Sequence, residues 1–333
     1  MKDFVCNVPV AMILFKRKDT VMRILARLSE VKPPRLYLLA DAGRNDEERA
    51  MVAECRRAVE EAIDWDCEVI KYYAEENRGV YENIAGGAKW VFEREQTCIF
   101  IEDDNLPEVT FFQYCSELLE KYRDNDDVLW ICGTNYFPSY ESPTGDSYMF
   151  TKHLLPCGWA SWSHKFLKYY DGEFDSIKTK EGVKRLKAAY RGSKLFDQQY
   201  YSMRKELFMK KNRGRYVSWD YQMALSVRVH GKYGISPARN QIRNIGADVH
   251  SEHGGTSLAK TMTNRFCEVE SRPLSFPLKH PERVAIDPVY EKMTERVIRL
   301  PFSLRVKNRT KRLMMRLLGK EDVTPFSMLR KKK

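Results

Sequence analysis

Three consecutive acids, Glu102, Asp103 and Asp104, end the apolar run Thr97-Cys98-Ile99-Phe100-Ile101. That run is too short and too β-branched for a helix and reads as a buried strand of a parallel sheet. Three carboxylates at the C-terminal end of such a strand repel one another and lose solvation, so a positive group belongs beside them. The simplest is a divalent metal carrying phosphate oxygens. In open α/β sheets that edge is also where ligands bind. The competing reading is a solvated acidic turn. A fourth acid, Asp220, follows Trp219 at the start of a helix, where it serves either as an N-cap or as a general base.

The elements that must position these acids can be read around them. Residues 8–15 form a first buried strand, and Asp19 or Thr20 caps a helix with Val21, Ile24, Leu25 and Leu28 on one face. Pro33-Pro34 ends that helix and residues 35–40 form a second strand closing on Asp41. Asn45 opens another helix with acids in its first turn, and residues 67–73 make a third strand, followed by Asn77-Arg78-Gly79. A helix over about 80–94 leads into the acidic strand. Pro107 starts the next helix, and residues 128–132 form a further strand. This alternation predicts a doubly wound α/β sheet. No G-x-G-x-x-G or G-x-x-x-x-G-K-[ST] occupies a strand-to-helix turn, which counts against a dinucleotide site and a P-loop kinase. Beyond residue 135 come an aromatic and glycine cluster, Gly158-Trp159-Ala160-Ser161-Trp162, a charged helical stretch over 172–216, and the helix opened by Asp220. Residues 233–257 read as loop, and the Pro-spaced sequence after about 271 reads as a linker into a basic tail.

At 333 residues, 43% hydrophobic and 31% charged, the chain has the composition of a soluble globular protein with ample core. No apolar run approaches the ~18 residues of a membrane span, and residues 8–15 read as a strand rather than a signal peptide. Eight scattered cysteines with no C-x-x-C pair predict free thiols in a reducing cytosol rather than a zinc site. Residues 292–333 carry 14 Lys or Arg against three acids, so the rest of the chain is balanced at 43 of each and the net charge of +11 belongs to the tail.

Taken in order, Arg17, Asp41, Asn77-Arg78-Gly79, Ile101-Glu102-Asp103-Asp104, Gly158 to Trp162, Trp219-Asp220 and Asn244-Ile245-Gly246 with the following histidines resemble the motif series of a GT-A glycosyltransferase. The pattern is similar to bacterial family-2-like transferases often labelled hemolysin-related. It is more distantly similar to the eukaryotic N-acetylglucosaminyltransferase acting on high-mannose N-glycans. The resemblance covers residues 8 to about 256. It implies a GT-A (Rossmann-like), mostly parallel sheet, a nucleotide-diphospho-sugar donor, a divalent metal (Mn²⁺ or Mg²⁺) and inversion at the anomeric carbon.

On that resemblance and the chemistry of the leaving diphosphate, Asp104 is the expected metal ligand. Asp103 is the expected partner of the ribose or of a metal-bound water, with Glu102 behind them. Asp41, at a strand tip, is placed to accept from the N3–H of uracil, or else caps a turn. Arg17 and Arg78 would clamp phosphate or stack on the base, unless they are solvated charges. Asp220 matches the catalytic acid of the family and is expected to take the proton from the acceptor hydroxyl. Trp159 is expected to wall the donor or acceptor pocket, its alternative being the core. Either His250 or His253 would complete the metal site, with His253 carried forward.

The segment Lys311 to Leu318 alternates basic and apolar residues at helical spacing, as in an interfacial helix on an anionic membrane. No recognisable nucleic-acid module accompanies its charge. The expected organisation is a nucleotide-sugar-binding half over 1–135, an acceptor-binding and catalytic half over 136–270, and a linker with a membrane-associating tail over 271–333. The expected protein is a metal-dependent inverting transferase, peripheral to the inner face of the plasma membrane. It would move a sugar, UDP-linked by preference, to a polysaccharide or lipid-linked acceptor in cell-surface glycan assembly. The alternatives are a sugar-nucleotide pyrophosphorylase and a non-catalytic glycan- or nucleotide-binding relative. The pyrophosphorylase would want a Gly-rich loop after the first strand, and Phe15-Lys16-Arg17-Lys18-Asp19 has no glycine.

Overall fold

The computed structural model describes residues 4–247 and 265–328. Apolar runs form the strands β1 (Val10–Leu14), β2 (Arg35–Ala40) and β4 (Thr97–Glu102), and a mixed run forms β3 (Glu68–Tyr73), all mutually parallel. Between them lie α1 (Lys18–Val31), α2 (Asp46–Glu61), and a π-helical turn, Glu82–Gly86, that runs into α3 (Gly87–Phe92). Helix α1 begins without a side-chain cap; the Thr20 hydroxyl instead donates to the carbonyls of Arg17 and Asp103. Asn45 caps α2 as its sequence predicts, accepting from the Glu48 N–H.

Pro107 does not start a helix. It ends a short strand, β5 (Asn105–Pro107), and α4 (Thr110–Lys121) follows. Then come β6 (Val128–Cys132), β7 (Tyr148–Thr151), β8 (Trp159–Trp162), α5 (Ser163–Tyr169), α6 (Lys180–Ala188), α7 (Ser193–Arg213) and α8 (Asp220–Val229). Part of the stretch expected as loop is β9 (Tyr233–Pro237) and β10 (Ile242–Asn244). The main sheet runs β3-β2-β1-β4-β8-β6-β9-β7. Strands β6 and β9 continue the direction of β4, while β8 and β7 run against it. One sheet therefore spans both expected halves of the chain.

The period-2 alternation of the strands divides the core. Val10, Met12, Leu14, Ile99 and Ile101 face α1, α2 and α4. Ala11, Ile13, Tyr37, Cys98 and Phe100 face α3, α5 and α8. Helices α6 and α7 then cover the outer side of α8, which is why α8 is buried nearly all round.

The stretch expected as a linker is built into the body. Helix α9 (Pro288–Ile298) carries Tyr290, fully buried, whose hydroxyl donates to Asn135 and meets Ser236. The last helix, α10 (Phe302–Leu317), lies against α7 through Arg312 over the Tyr201 ring and through the buried Asp322, which pairs with Arg204. None of the described helices is long and apolar enough to cross a membrane. All eight cysteines are free.

Candidate functional site

A cavity of about 630 Å³ opens at the C-terminal ends of β1, β2 and β4. Phe15, Lys16 and Arg17 reach it from β1, Asp41 from β2, and Glu102, Asp103 and Asp104 from β4. The other half of the chain contributes Arg215, Ser218, Asp220, Asn244 and Gly246. The acidic strand end and Asp220, separated by more than a hundred residues, thus line one space.

Arg17 supplies the positive charge that the acids require. Its Nη1 lies 3.0 Å from Oδ1 of Asp103 and 3.0 Å from Oδ2 of Asp104, so both carboxylates converge on one point. Burial pushes the Asp103 carboxyl up to about 7, with Arg17 holding it down and Asp104 adding to the rise. Burial also raises the Glu102 carboxyl well above the usual carboxylate range, and Asp104, Asp103 and Asp220 all repel its charge.

The donor set suits a cation that also takes ligands from a substrate. Among the described residues, no group of three or more His, Cys, Asp or Glu is arranged to hold a metal by itself. Two converging carboxylates are what a Mg²⁺- or Mn²⁺-diphosphate complex asks of a protein, since phosphates and water fill the other positions. Beside them, Asn105 Oδ1 is buried with no hydrogen-bond partner. His250 and His253 lie outside the described residues.

Asn244-Ile245-Gly246 wraps this acid. Antiparallel pairing of β10 with β5 sets Asn244 opposite Asn105. The Ile245 N–H then donates to the Asp104 carbonyl at 2.8 Å, and the Gly246 N–H to Asn244 Oδ1 at 3.0 Å. Gly246 comes so close to Asp104 that a Cβ there would collide with its carboxylate.

Three expected binding residues have other duties. The Asp41 carboxylate accepts four N–H groups: Ala42 and Arg78 main chain on Oδ1, and the Asn77 side chain and Gly79 main chain on Oδ2. A carboxylate has about four acceptor positions, so Asp41 folds the Asn77-Arg78-Gly79 turn and has none left for a uracil N3–H. The Arg78 guanidinium turns away from the cavity, stacking 4.2 Å over Tyr72 and donating to the Tyr72 carbonyl. Trp159 is 1% exposed. Strand β8 lies between β4 and β6, so its ring is stacked between Phe100 and Trp130, each 4.0 Å away, and offers no free face to a sugar.

That stack still matters to the site. Trp219 continues it, 5.8 Å from Trp159 and 6.0 Å from Trp130. The aromatic series therefore joins β4, two residues before Glu102, to the residue that precedes Asp220. Ser218 Oγ donates to Asp220 Oδ1, and Glu206 of α7 accepts the Val217 and Ser218 N–H groups at 2.8 and 3.1 Å. Burial pushes the Glu206 carboxyl up to about 7 against those two hydrogen bonds.

Glu206 and Arg215 both lie in the charged stretch that gave no chemical signal in the sequence. Arg215 Nη1 reaches Asn77 Oδ1 at 3.4 Å across 138 residues, which no periodicity could reveal. Lys16 and Arg44 also frame the cavity, each paired with Glu48.

No family model and no curated protein matches the chain. Among solved structures it is similar to mannosyltransferase PcManGT from Pyrobaculum calidifontis in complex with GDP-Man and Mn²⁺. That match has 13% identity over 68% of this chain and 70% of the other, with a TM-score of 0.39. It is similar to residues 1–349 of TarS from S. aureus, at 12% identity over 55% of each chain and a TM-score of 0.35. It is also similar to a UDP-glucose pyrophosphorylase complexed with UDP-glucose, at 9% identity over 72% of this chain and 94% of the other, with a TM-score of 0.34.

Proposed function

We propose that the protein is an inverting glycosyltransferase that uses a nucleotide-diphospho-sugar and a divalent cation. The observation that carries this reading is the single cavity shared by the Asp103–Asp104 pair and Asp220. One group would hold the cation that neutralises a departing diphosphate, and the other would take the proton that an attacking hydroxyl must lose. Asp104 and Asp103 would hold the cation, which when bound neutralises the diphosphate oxygens.

The chain's own residues do the remainder. Arg17, on the same two carboxylates, and Arg215, at the rim, offer guanidinium groups to phosphate oxygens. Asp220 accepts the proton of the acceptor hydroxyl as its oxygen attacks the anomeric carbon and the bond to the diphosphate breaks. Glu206, Ser218 and the aromatic stack hold that carboxylate in place. With Asp41 fully engaged, uridine is one base to try in a donor panel rather than one the pocket specifies.

The acceptor would be a polysaccharide or lipid-linked glycan assembled at a membrane. Helix α10 exposes Phe302, Val306, Leu313 and Leu317 along one stripe, with Phe302 at 74% and Leu317 at 79%. Arg309 and Arg316 flank one side of the stripe, and Lys307 the other. An apolar stripe bordered by cations suits the interface of an anionic bilayer.

Incubation with UDP- and GDP-sugars and Mn²⁺ tests the central reading. Release of nucleoside diphosphate from at least one donor, lost on chelation, is expected. No release from any donor together with no metal-dependent nucleotide binding would refute it.

A further inference from the structure

A second cavity, of about 570 Å³, shares Tyr136, Arg265 and Leu300 with the first. Arg265, Arg296, Arg299 and Arg305 line it, and the proposed donor and base residues do not. Glu295 pairs with Arg299 at 3.6 Å, and among the described residues no acid pairs with Arg296 or Arg305. The Nε atoms of Arg299 and Arg305 are buried with no hydrogen-bond partner. Arg265 spends its donors on the Val297 and Ile298 carbonyls, which fixes the wall from which Arg299 extends.

Helix α10 starts at this cavity, with Pro301, Phe302 and Arg305 in the lining and no acid in its first turn. The positive end of a 16-residue helix therefore adds to the charge of the side chains. A buried Nε–H without an acceptor is costly, and the remaining donors of these partly exposed guanidinium groups can meet a ligand's oxygens. Phosphate oxygens fit their planar, multi-donor geometry better than a sugar hydroxyl does.

We propose that this cavity is a subsite for a phosphate or diphosphate group carried by the acceptor, holding it while the acceptor hydroxyl enters the neighbouring cavity. The word acceptor rests on the glycosyltransferase reading; the anion site does not. Phe302 and Leu300 give the same cavity an apolar edge, so the phosphate can come from a lipid carrier or from a soluble phosphorylated sugar.

The experiment is calorimetric titration of the full chain with inorganic pyrophosphate and with dodecyl phosphate below its micelle concentration. Wild type, R305Q, R299Q/R305Q and R17Q are compared. Arg305 holds no ion pair among the described residues, so R305Q removes charge without breaking one. Pyrophosphate should bind the wild type and weaken at least tenfold in the double variant, about 1.4 kcal/mol. R305Q alone should take part of that loss, and binding at this site should persist in R17Q. Tighter binding of dodecyl phosphate than of pyrophosphate indicates a lipid-borne phosphate, and equal binding a soluble one; either supports the subsite. Equal pyrophosphate affinity in wild type and the double variant, or complete loss in R17Q alone, overturns it. Absence of both donor cleavage and metal-dependent nucleotide binding, with arginine-dependent anion binding intact, would refute the transferase reading and leave the subsite standing.

Discussion

A Cβ on Gly246 would lie 3.0 Å from Cβ and Cγ of Asp104, and closer still to its carboxylate oxygen. The glycine is there because the β10–β5 pairing brings main chain directly onto the acid. Gly246→Ala must displace Asp104. We expect it to weaken Mn²⁺-dependent nucleotide binding at least tenfold while changing the melting temperature little. Unchanged Mn²⁺ dependence would show that Asp104 is not a ligand.

Arg17 occupies the point that a cation between Asp103 and Asp104 would take. Arg17→Gln should therefore tighten Mn²⁺ binding in the absence of nucleotide, as read by calorimetry. The metal-free variant should also melt lower, by less than the ~3–5 kcal/mol of a fully buried broken pair, because both carboxylates keep some solvent. Added Mn²⁺ should recover more of that loss than it adds to the wild type. Weaker metal binding by the variant would contradict this arrangement.

Asp220→Asn keeps the size of the side chain and removes the proton acceptor. Loss of a general base costs about 10²–10⁴-fold in rate, so transfer should fall by that much with nucleotide affinity unchanged. Parallel loss of both would make Asp220 a structural residue of the first turn of α8.

Glu206 gives the fold a pH dependence of definite sign. Burial raises its carboxyl from 4.5 to about 7, so between those values the folded chain binds a proton that the unfolded chain has released. Its contribution to stability is present at low pH and is lost as pH rises from about 4.5 through 7. Glu206→Gln, which still presents an oxygen to the Val217 and Ser218 N–H groups, should flatten the fall in melting temperature between pH 5 and pH 8. An unchanged slope would mean that Glu206 is not protonated in the folded chain.

Leu313 and Leu317 test the exposed stripe of α10. Changing both to Glu removes apolar area and introduces repulsion from anionic lipid. Sedimentation with phosphatidylserine vesicles should fall sharply, with donor cleavage in solution unchanged. Vesicle binding equal to wild type would exclude this face as the contact.

Much of the sheet was legible because β1, β2 and β4 are short apolar runs and α1 and α2 carry a clear 3.6-residue period. The place of Asp103, Asp104 and Asp220 on one cavity was legible because carboxylates at strand and helix ends ask for a reason. Trp159 was misread: its type suits a sugar, but its place between β4 and β6 follows from an antiparallel insertion that local pattern does not encode. Asp41 was misread because hydrogen bonds arriving from 36 to 38 residues away decide what its oxygens have left to give. Strand β9 was missed because Tyr233-Gly234-Ile235-Ser236-Pro237 carries Gly and Pro, turn signals overridden by two strand neighbours.

Asp322 is 3% exposed and collects Arg204 of α7 at 2.8 Å, with Arg312 and Arg316 of α10 at 3.2 and 2.9 Å. That one carboxylate fastens the last helix to the wall behind Glu206 and Asp220. A protein held at a surface by such a helix stands at a set height and tilt, as on a bracket rather than a tether. The distance from that surface to Asp220 would then be a fixed length that an acceptor chain would have to match.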